Sequence, residues 1–343
     1  MSVTALRAGD WLSLPVRPRS VIIACALAVG IIVVAVLSLT LGRLGIALGD
    51  LAPAILGQST GPDAIVFEVL RGPRLTVGIA AGAAFGASGA LFQTVTRNPL
   101  GSPDVIGLTS GAAAGAAAFG LLWTGILPLP AGALVGALAA MALVWLGTGR
   151  GFSSPARMLL VGIGVSAMAL AFVQYVITRV GLQQATVLAS FLSGSLASRT
   201  WGDAVIIWVS VAVLLPCALL TSRRLQLMEM GDEQADALGA RSGATRGWVV
   251  LIAIGLATAG VSVAGPVAFI ALTAPQIARR LTRSAGPNLV LSALMGAWLL
   301  ALADLLTQQS PFAVQLPVGV LTAVIGGIYL GYLLVAQWKK GTV

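Results

Sequence analysis

The 343-residue chain has no histidine, two cysteines, three tyrosines, and Lys339 and Lys340 as its only lysines. Without histidine it lacks the commonest metal ligand and the usual proton shuttle near neutral pH. Cys25 and Cys217 both lie in apolar runs, and no C-x-x-C occurs, so neither a disulfide framework nor a thiolate metal site is expected. No lysine stands in a G-x-x-x-x-G-K-[ST] context, which excludes a P-loop, and G-x-S-x-G and H-E-x-x-H are absent as well. Charge is also scarce: 9% of residues are Asp, Glu, Lys or Arg, against about 25% in soluble domains. Long polar stretches are missing too. From Val21 to Trp338 the chain is almost continuously apolar, so its solvent is a bilayer.

What is present fits that solvent. The chain is 58% hydrophobic with 42 glycines, and its mean hydropathy is +0.98. A hydrocarbon core of about 30 Å needs about 20 apolar residues per helix. The candidate spans are 21–41, 75–95, 107–123, 129–147, 158–178, 203–221, 247–264, 266–281, 288–306 and 316–338. The expected fold is therefore an all-α polytopic membrane protein of about ten transmembrane helices. Segment 266–281 is short and carries Pro266 and Pro275, so a kinked or broken helix is expected there. The run Val21–Leu41 is long enough to span and reads as the first helix, not a cleaved signal peptide.

With both termini inside, fifteen of the twenty basic residues fall on the cytoplasmic side. The exceptions are Arg43, Arg71, Arg74, Arg179 and Arg199. That bias matches the positive-inside rule, so the net charge of +9 reads as topology and not as a nucleic-acid surface. Rows of glycine at four-residue spacing, Gly78/Gly82/Gly86 and Gly107/Gly111/Gly115, read as helix-packing seams. Of the acids, only Asp304 sits well inside a span. It is a candidate functional site of pathway or structural role, or simply a solvated or hydrogen-bonded residue near the outer end.

Two connections are more than short loops. Segment 222–246 holds Gly231, then Asp232 and Glu233 in a first turn, and a stop at Gly239, which predicts a helix of about two turns over 231–240. Such a helix is too short to be stable without packing. In the outer segment 179–202, Leu188–Leu196 is expected to form a short interfacial helix.

Arg71/Pro73/Arg74, Ser88/Gly89/Gln93 and Arg97/Asn98/Pro99/Leu100/Pro103/Asp104/Gly107 form an ordered series. Glu233 through Gly239, Gly265 through Arg279 and Leu316-Pro-Val-Gly319 continue it. Along nearly its whole length the chain thus resembles the FecCD-type permeases, the membrane subunits of ABC importers for ferric siderophores, haem and vitamin B12. It departs from their pattern at Ala271 (usually glycine), Gln276 (usually histidine), Gln308 (usually arginine), Gln315 (usually glutamate) and Gly327-Ile328.

The resemblance implies a vitamin-B12-importer-like (type II ABC importer) permease fold in the bacterial cytoplasmic membrane. Residues 1–19 would be a cytoplasmic N-terminal segment and 339–343 a cytoplasmic tail. Residues 20–338 would form a single permease domain that includes the coupling segment 222–246. The chain itself would be no enzyme and hold no cofactor, with ATP and Mg bound by a partner.

The implied partners are a second permease subunit (a paralogue rather than an identical copy), two cytoplasmic ATPases, an extracytoplasmic substrate-binding protein, membrane lipid and a ferric siderophore. Haem or cobalamin is the alternative cargo. Gly231, Glu233, Ala237, Leu238 and Gly239 would couple to the ATPase, and Arg71 and Arg74 would dock the binding protein. Asn98, Pro99 and Leu100 would contribute to a cytoplasmic gate, and Gln93, Asp304 and Pro275 would serve pathway or structural roles. Asn98-Pro99-Leu100 also reads as a plain turn, because a residue before proline is biased away from helix. An ion-coupled carrier would need buried ionisable networks, and a membrane enzyme would need paired catalytic groups. Neither appears in the sequence.

Overall fold

A computed structural model describes residues 4–8, 12–42, 44–149, 155–284, 286–310 and 316–338. Arg43, Gln315, Lys339 and Lys340, named in the reading above, lie outside the described residues, as does Arg150, one of the fifteen basic residues counted inside.

The chain opens with β1 (Thr4–Ala8) antiparallel to β2 (Leu12–Val16), Thr4 facing Val16 and Ala8 facing Leu12. This hairpin departs from the expected all-helical chain. Leu12, Leu14 and Val16 alternate with Ser13 and Pro15 in a two-residue period, whereas the helical pattern begins only at Pro18.

Helices make up the rest. They are α1 (Pro18–Thr40), α2 (Leu51–Ile55), α3 (Pro62–Ile65), α4 (Gly72–Thr96), α5 (Leu108–Ala117), α6 (Leu129–Gly147) and α7 (Pro155–Arg179). Then follow α8 (Leu182–Leu192), α9 (Trp201–Met228), α10 (Asp232–Ala237), α11 (Ser242–Ala264), α12 (Ile270–Thr282), α13 (Leu289–Gln308) and α14 (Val318–Trp338). Single π-type turns, Val66–Arg71 and Ala118–Leu122, lead into α4 and extend α5.

Among the described residues, seven helical segments are long and apolar enough to cross a membrane; they contain α1, α4, α6, α7, α9, α11 and α13. The remaining expected spans are shorter or more polar: α5 with its π-turn, α12, and the described apolar part of α14. The 266–281 span starts late. Gly265 and Phe269 take left-handed backbone (φ 73° and 67°), so helix begins only at Ile270. The outer helix also lies earlier than expected, at Leu182–Leu192, because Gly194 (φ 70°) turns the chain away. Beyond it the Ser195 N–H donates to the Ala264 carbonyl and the Gly319 N–H to the Gly194 carbonyl, which ties this loop to α11 and α14.

Burial sorts the helices. In α4, 83% of the most apolar stretch is buried, against 11% in α1, and α11 and α13 resemble α4. Lipid gives helices no hydrophobic reason to associate, so close packing has to come from small residues. Gly82 and Gly86 of α4 meet the backbone of Gly296 and Ser292 in α13, while Gly111 and Gly115 of α5 meet Gly136 and Gly132 of α6. A Cβ at any of these α4 or α5 positions would run into a backbone atom of the facing helix.

Candidate functional site

At the α10 end the chain must turn sharply twice, and glycine supplies both turns, at Gly231 (φ 116°) and Gly239 (φ 81°). The helix between them is six residues, shorter than the predicted 231–240. Ala235 is its buried anchor, while Glu233, Ala237, Leu238 and Gly239 are exposed. The Asp236 carboxylate fastens α10 to the start of α11 by accepting from the Ser242 N–H (2.5 Å) and hydroxyl (2.9 Å).

Asp232, the first residue of α10, ties it to two other helices. Its Oδ2 accepts from Arg246 Nη2 at 2.8 Å and its Oδ1 from Arg97 Nη2 at 2.5 Å. Arg97 Nη2 also donates to the Met228 carbonyl at 2.7 Å. The Arg246 hydrogen bond, with the charges of both arginines, holds the Asp232 carboxyl below the usual carboxylate range. Nearby Glu229 is shifted the other way, raised by burial.

Arg97 closes α4 in a left-handed conformation (φ 50°) and aims the following loop. Asn98 Oδ1 accepts the Leu100 N–H at 2.9 Å, making a tight turn that leaves Leu100 exposed. Gln276 of α12 donates both to Gln93 Oε1 (2.9 Å) and to the Pro99 carbonyl (2.8 Å), and Gln93 donates to the Leu272 carbonyl (3.0 Å). The loop is thus hung on α12 as well as on α10. Pro275 has no N–H for the carbonyl four residues back, that of Ala271, and that carbonyl lies against Gly89, where no Cβ fits.

At the opposite end the two arginines of the R-x-P-R entry separate. Arg71 Nη1 donates to the Ser38 (2.6 Å) and Leu41 (2.7 Å) carbonyls at the end of α1. Arg74 was expected to face a partner's acids. Its Nη2 instead reaches Asp304 Oδ1 at 2.8 Å and its Nε both carboxylate oxygens at 2.9 and 3.0 Å. Gln308 completes the Asp304 shell, donating to Oδ2 at 2.8 Å and to Ser38 Oγ at 3.2 Å. Asp304 is therefore neither solvated nor unpartnered, because Arg74 compensates its charge inside the chain.

Between these ends lies a cavity of about 620 Å³, lined by Asp104, Thr109, Ser193, Pro266, Gly319 and Val324 among others. Its polar lining is sparse, and no group of three or more His, Cys, Asp or Glu among the described residues could hold a metal.

The structure brings Gln93, Pro99 and Pro275 together around α12, places α10 beside Arg97, and keeps Arg71, Arg74 and Asp304 together at the other end. Two links are not legible in the sequence. Arg97 read as a topology charge and Asp232 as a helix-start acid, and nothing in their spacing announces their ion pair. Gln276 stood out only as an unusual residue, with no indication that it bridges Gln93 and Pro99.

Comparison with known proteins adds the following. A family model described as the FecCD transport family matches residues 30–336. The ferric enterobactin transport system permease protein of Escherichia coli (strain K12) is 38% identical over 94% of this chain and 98% of its own length. The Fe(3+)-citrate import system permease protein YfmE of Bacillus subtilis (strain 168) is 35% identical, over 94% and 98%. A solved structure described as an inward-facing conformation of a metal-chelate type ABC transporter superposes with a TM-score of 0.80 at 26% identity, over 92% of this chain and 99% of that one.

Proposed function

Because this chain belongs to the FecCD transport family, we propose that it is the transmembrane permease subunit of an ATP-binding-cassette importer that carries a ferric siderophore across the bacterial cytoplasmic membrane. The observation that carries the reading is the short, doubly glycine-bounded helix α10. It presents exposed Leu238 and Glu233 while held directly against the loop that follows α4. A membrane protein with no nucleotide motif of its own needs such a surface to receive work from a separate ATPase. Curated relatives named for ferric enterobactin, ferric citrate and ferric hydroxamate transport support an iron-chelate cargo.

In this reading Gly231, Glu233, Ala237, Leu238 and Gly239 meet the ATPase, and Asn98, Pro99 and Leu100 form part of the cytoplasmic gate. Both termini are cytoplasmic, and residues 20–338 act as one permease unit. A second permease subunit, a paralogue, completes the pathway, with two ATPases below, which hold ATP and Mg. Arg71 is the outer-face cation offered to the substrate-binding protein, with Arg74 behind it held by Asp304. The sparse polar lining of the central cavity lets a large chelate pass without being retained.

The test is uptake of ferric enterobactin, ferric citrate and a ferric hydroxamate into proteoliposomes that contain the full complex with its ATPase and binding protein. We expect uptake of at least one chelate that requires ATP and is abolished by Leu238→Glu with the complex still assembled. Uptake driven by an ion gradient without ATP would overturn the assignment.

A further inference from the structure

We propose that Asp232 is a positioning residue for transport, the joint through which displacement of α10 is passed to the loop at Arg97–Leu100. This rests on the reading of α10 as the ATPase contact. The geometry is a two-sided clamp. One carboxylate oxygen of Asp232 takes Arg246, whose side chain is only 10% exposed and is rooted in the core helix α11. The other takes Arg97, at the root of the loop. Arg97 is also the residue whose left-handed backbone sets the direction in which the loop leaves α4. Two residues later the loop is held from the other side, by Gln276 of α12 on the Pro99 carbonyl. The loop is therefore gripped at Arg97 by α10 and at Pro99 by α12, and a shift of one grip against the other reorients the exposed Leu100 just beyond the second grip.

The Arg97–Asp232 pair is poorly placed to stabilise the fold. Its side chains are 44% and 40% exposed, and exposed pairs contribute little to stability. What an exposed, charge-assisted contact does supply is a defined geometry between two segments. The Arg246 hydrogen bond and the charges of both arginines lower the pKa of the Asp232 carboxyl, which favours the ionised form that both arginines hold.

The test uses the full complex in proteoliposomes. Asp232→Asn and Arg97→Gln should each lower transport per ATP hydrolysed about tenfold, while complex yield and basal ATP hydrolysis stay near wild type. The double variant should be no worse than Asp232→Asn alone, because the contact that Arg97→Gln removes is already lost there. Asp232→Glu should retain most of the coupling. Spin labels on Leu100→Cys should lose their nucleotide-dependent displacement in Asp232→Asn. A cross-link from Leu238→Cys to the ATPase checks the underlying reading separately, and it should form in wild type and in Asp232→Asn alike. If no cross-link formed, the reading of α10 would fall and the inference with it. If the cross-link formed but Asp232→Asn transported with wild-type stoichiometry, the two single effects multiplied in the double variant, or the complex no longer assembled, the inference alone would be overturned.

Discussion

Arg74 and Asp304 form the most enclosed ion pair described in the chain, with side chains 15% and 4% exposed. Breaking a buried pair by removing one member costs about 3–5 kcal/mol, whereas replacing both with apolar groups of similar volume is often close to neutral. Asp304→Ala should therefore lower the thermal stability of the nanodisc-embedded complex severely. Arg74→Met combined with Asp304→Leu should recover most of that loss, which a fluorescence-monitored melt would reveal. The sequence singled out Asp304 because a lone acid deep in a span stands out. It could not supply the partner, which lies 230 positions away. Nor could it separate the two arginines of the R-x-P-R entry, because their different fates depend on which side of α4 faces α13 and which faces the end of α1. Gln308 was read as a missing charge, and its actual place is in the Asp304 hydrogen-bond shell.

At the scale of elements, the glycine rows read as packing seams, and Gly82/Gly86 and Gly111/Gly115 are, whereas Gly78 meets the Leu196 side chain and Gly107 is the turn into α5, set against α7. Gly86→Leu should force α4 off α13 and cost about 1–3 kcal/mol or more. Gly164→Leu in α7, where no atom lies near the added carbon, should be tolerated. Folded yield and melting temperature in lipid would separate the two. Helix positions were legible because a membrane span writes itself as length and hydropathy. Two elements were not. The outer helix was expected too late, because the decisive signal was the turn at Gly194 and not the apolar run that drew attention. The N-terminal hairpin was read only as a polar segment, since five-residue strands leave too short a pattern to stand out. The seams announced that helices would touch but not which ones. The pairing of α4 with α13 and of α5 with α6 is a property of the three-dimensional arrangement, and a four-residue spacing cannot encode a partner's identity.

Across the whole molecule one end gathers the basic residues. Arg17 bonds to Ser284 just after α12, Arg19 to the Leu281 carbonyl in its last turn, Arg279 to Thr94, and Arg97 and Arg246 to Asp232. If this end is cytoplasmic, then with Cys25 and Cys217 replaced by alanine, a membrane-impermeant maleimide applied to intact spheroplasts should label Gln184→Cys in α8. It should leave Gln234→Cys in α10 untouched until the membrane is opened, and the opposite labelling would invert the topology.

The seam between α4 and α13 has a mechanical corollary. Where carbonyl oxygens rest against glycine backbone there is no slack, and close-packed interiors transmit strain instead of absorbing it. The two helices can neither roll nor slide on one another without collision, so this part of the subunit behaves as a stiff spar. Compliance is left to the elements outside it: the loop at Arg97–Leu100, the chain after α8, the delayed start of α12, and the foot of α14. Any widening or narrowing of a passage has to be taken up there, because the spar does not bend.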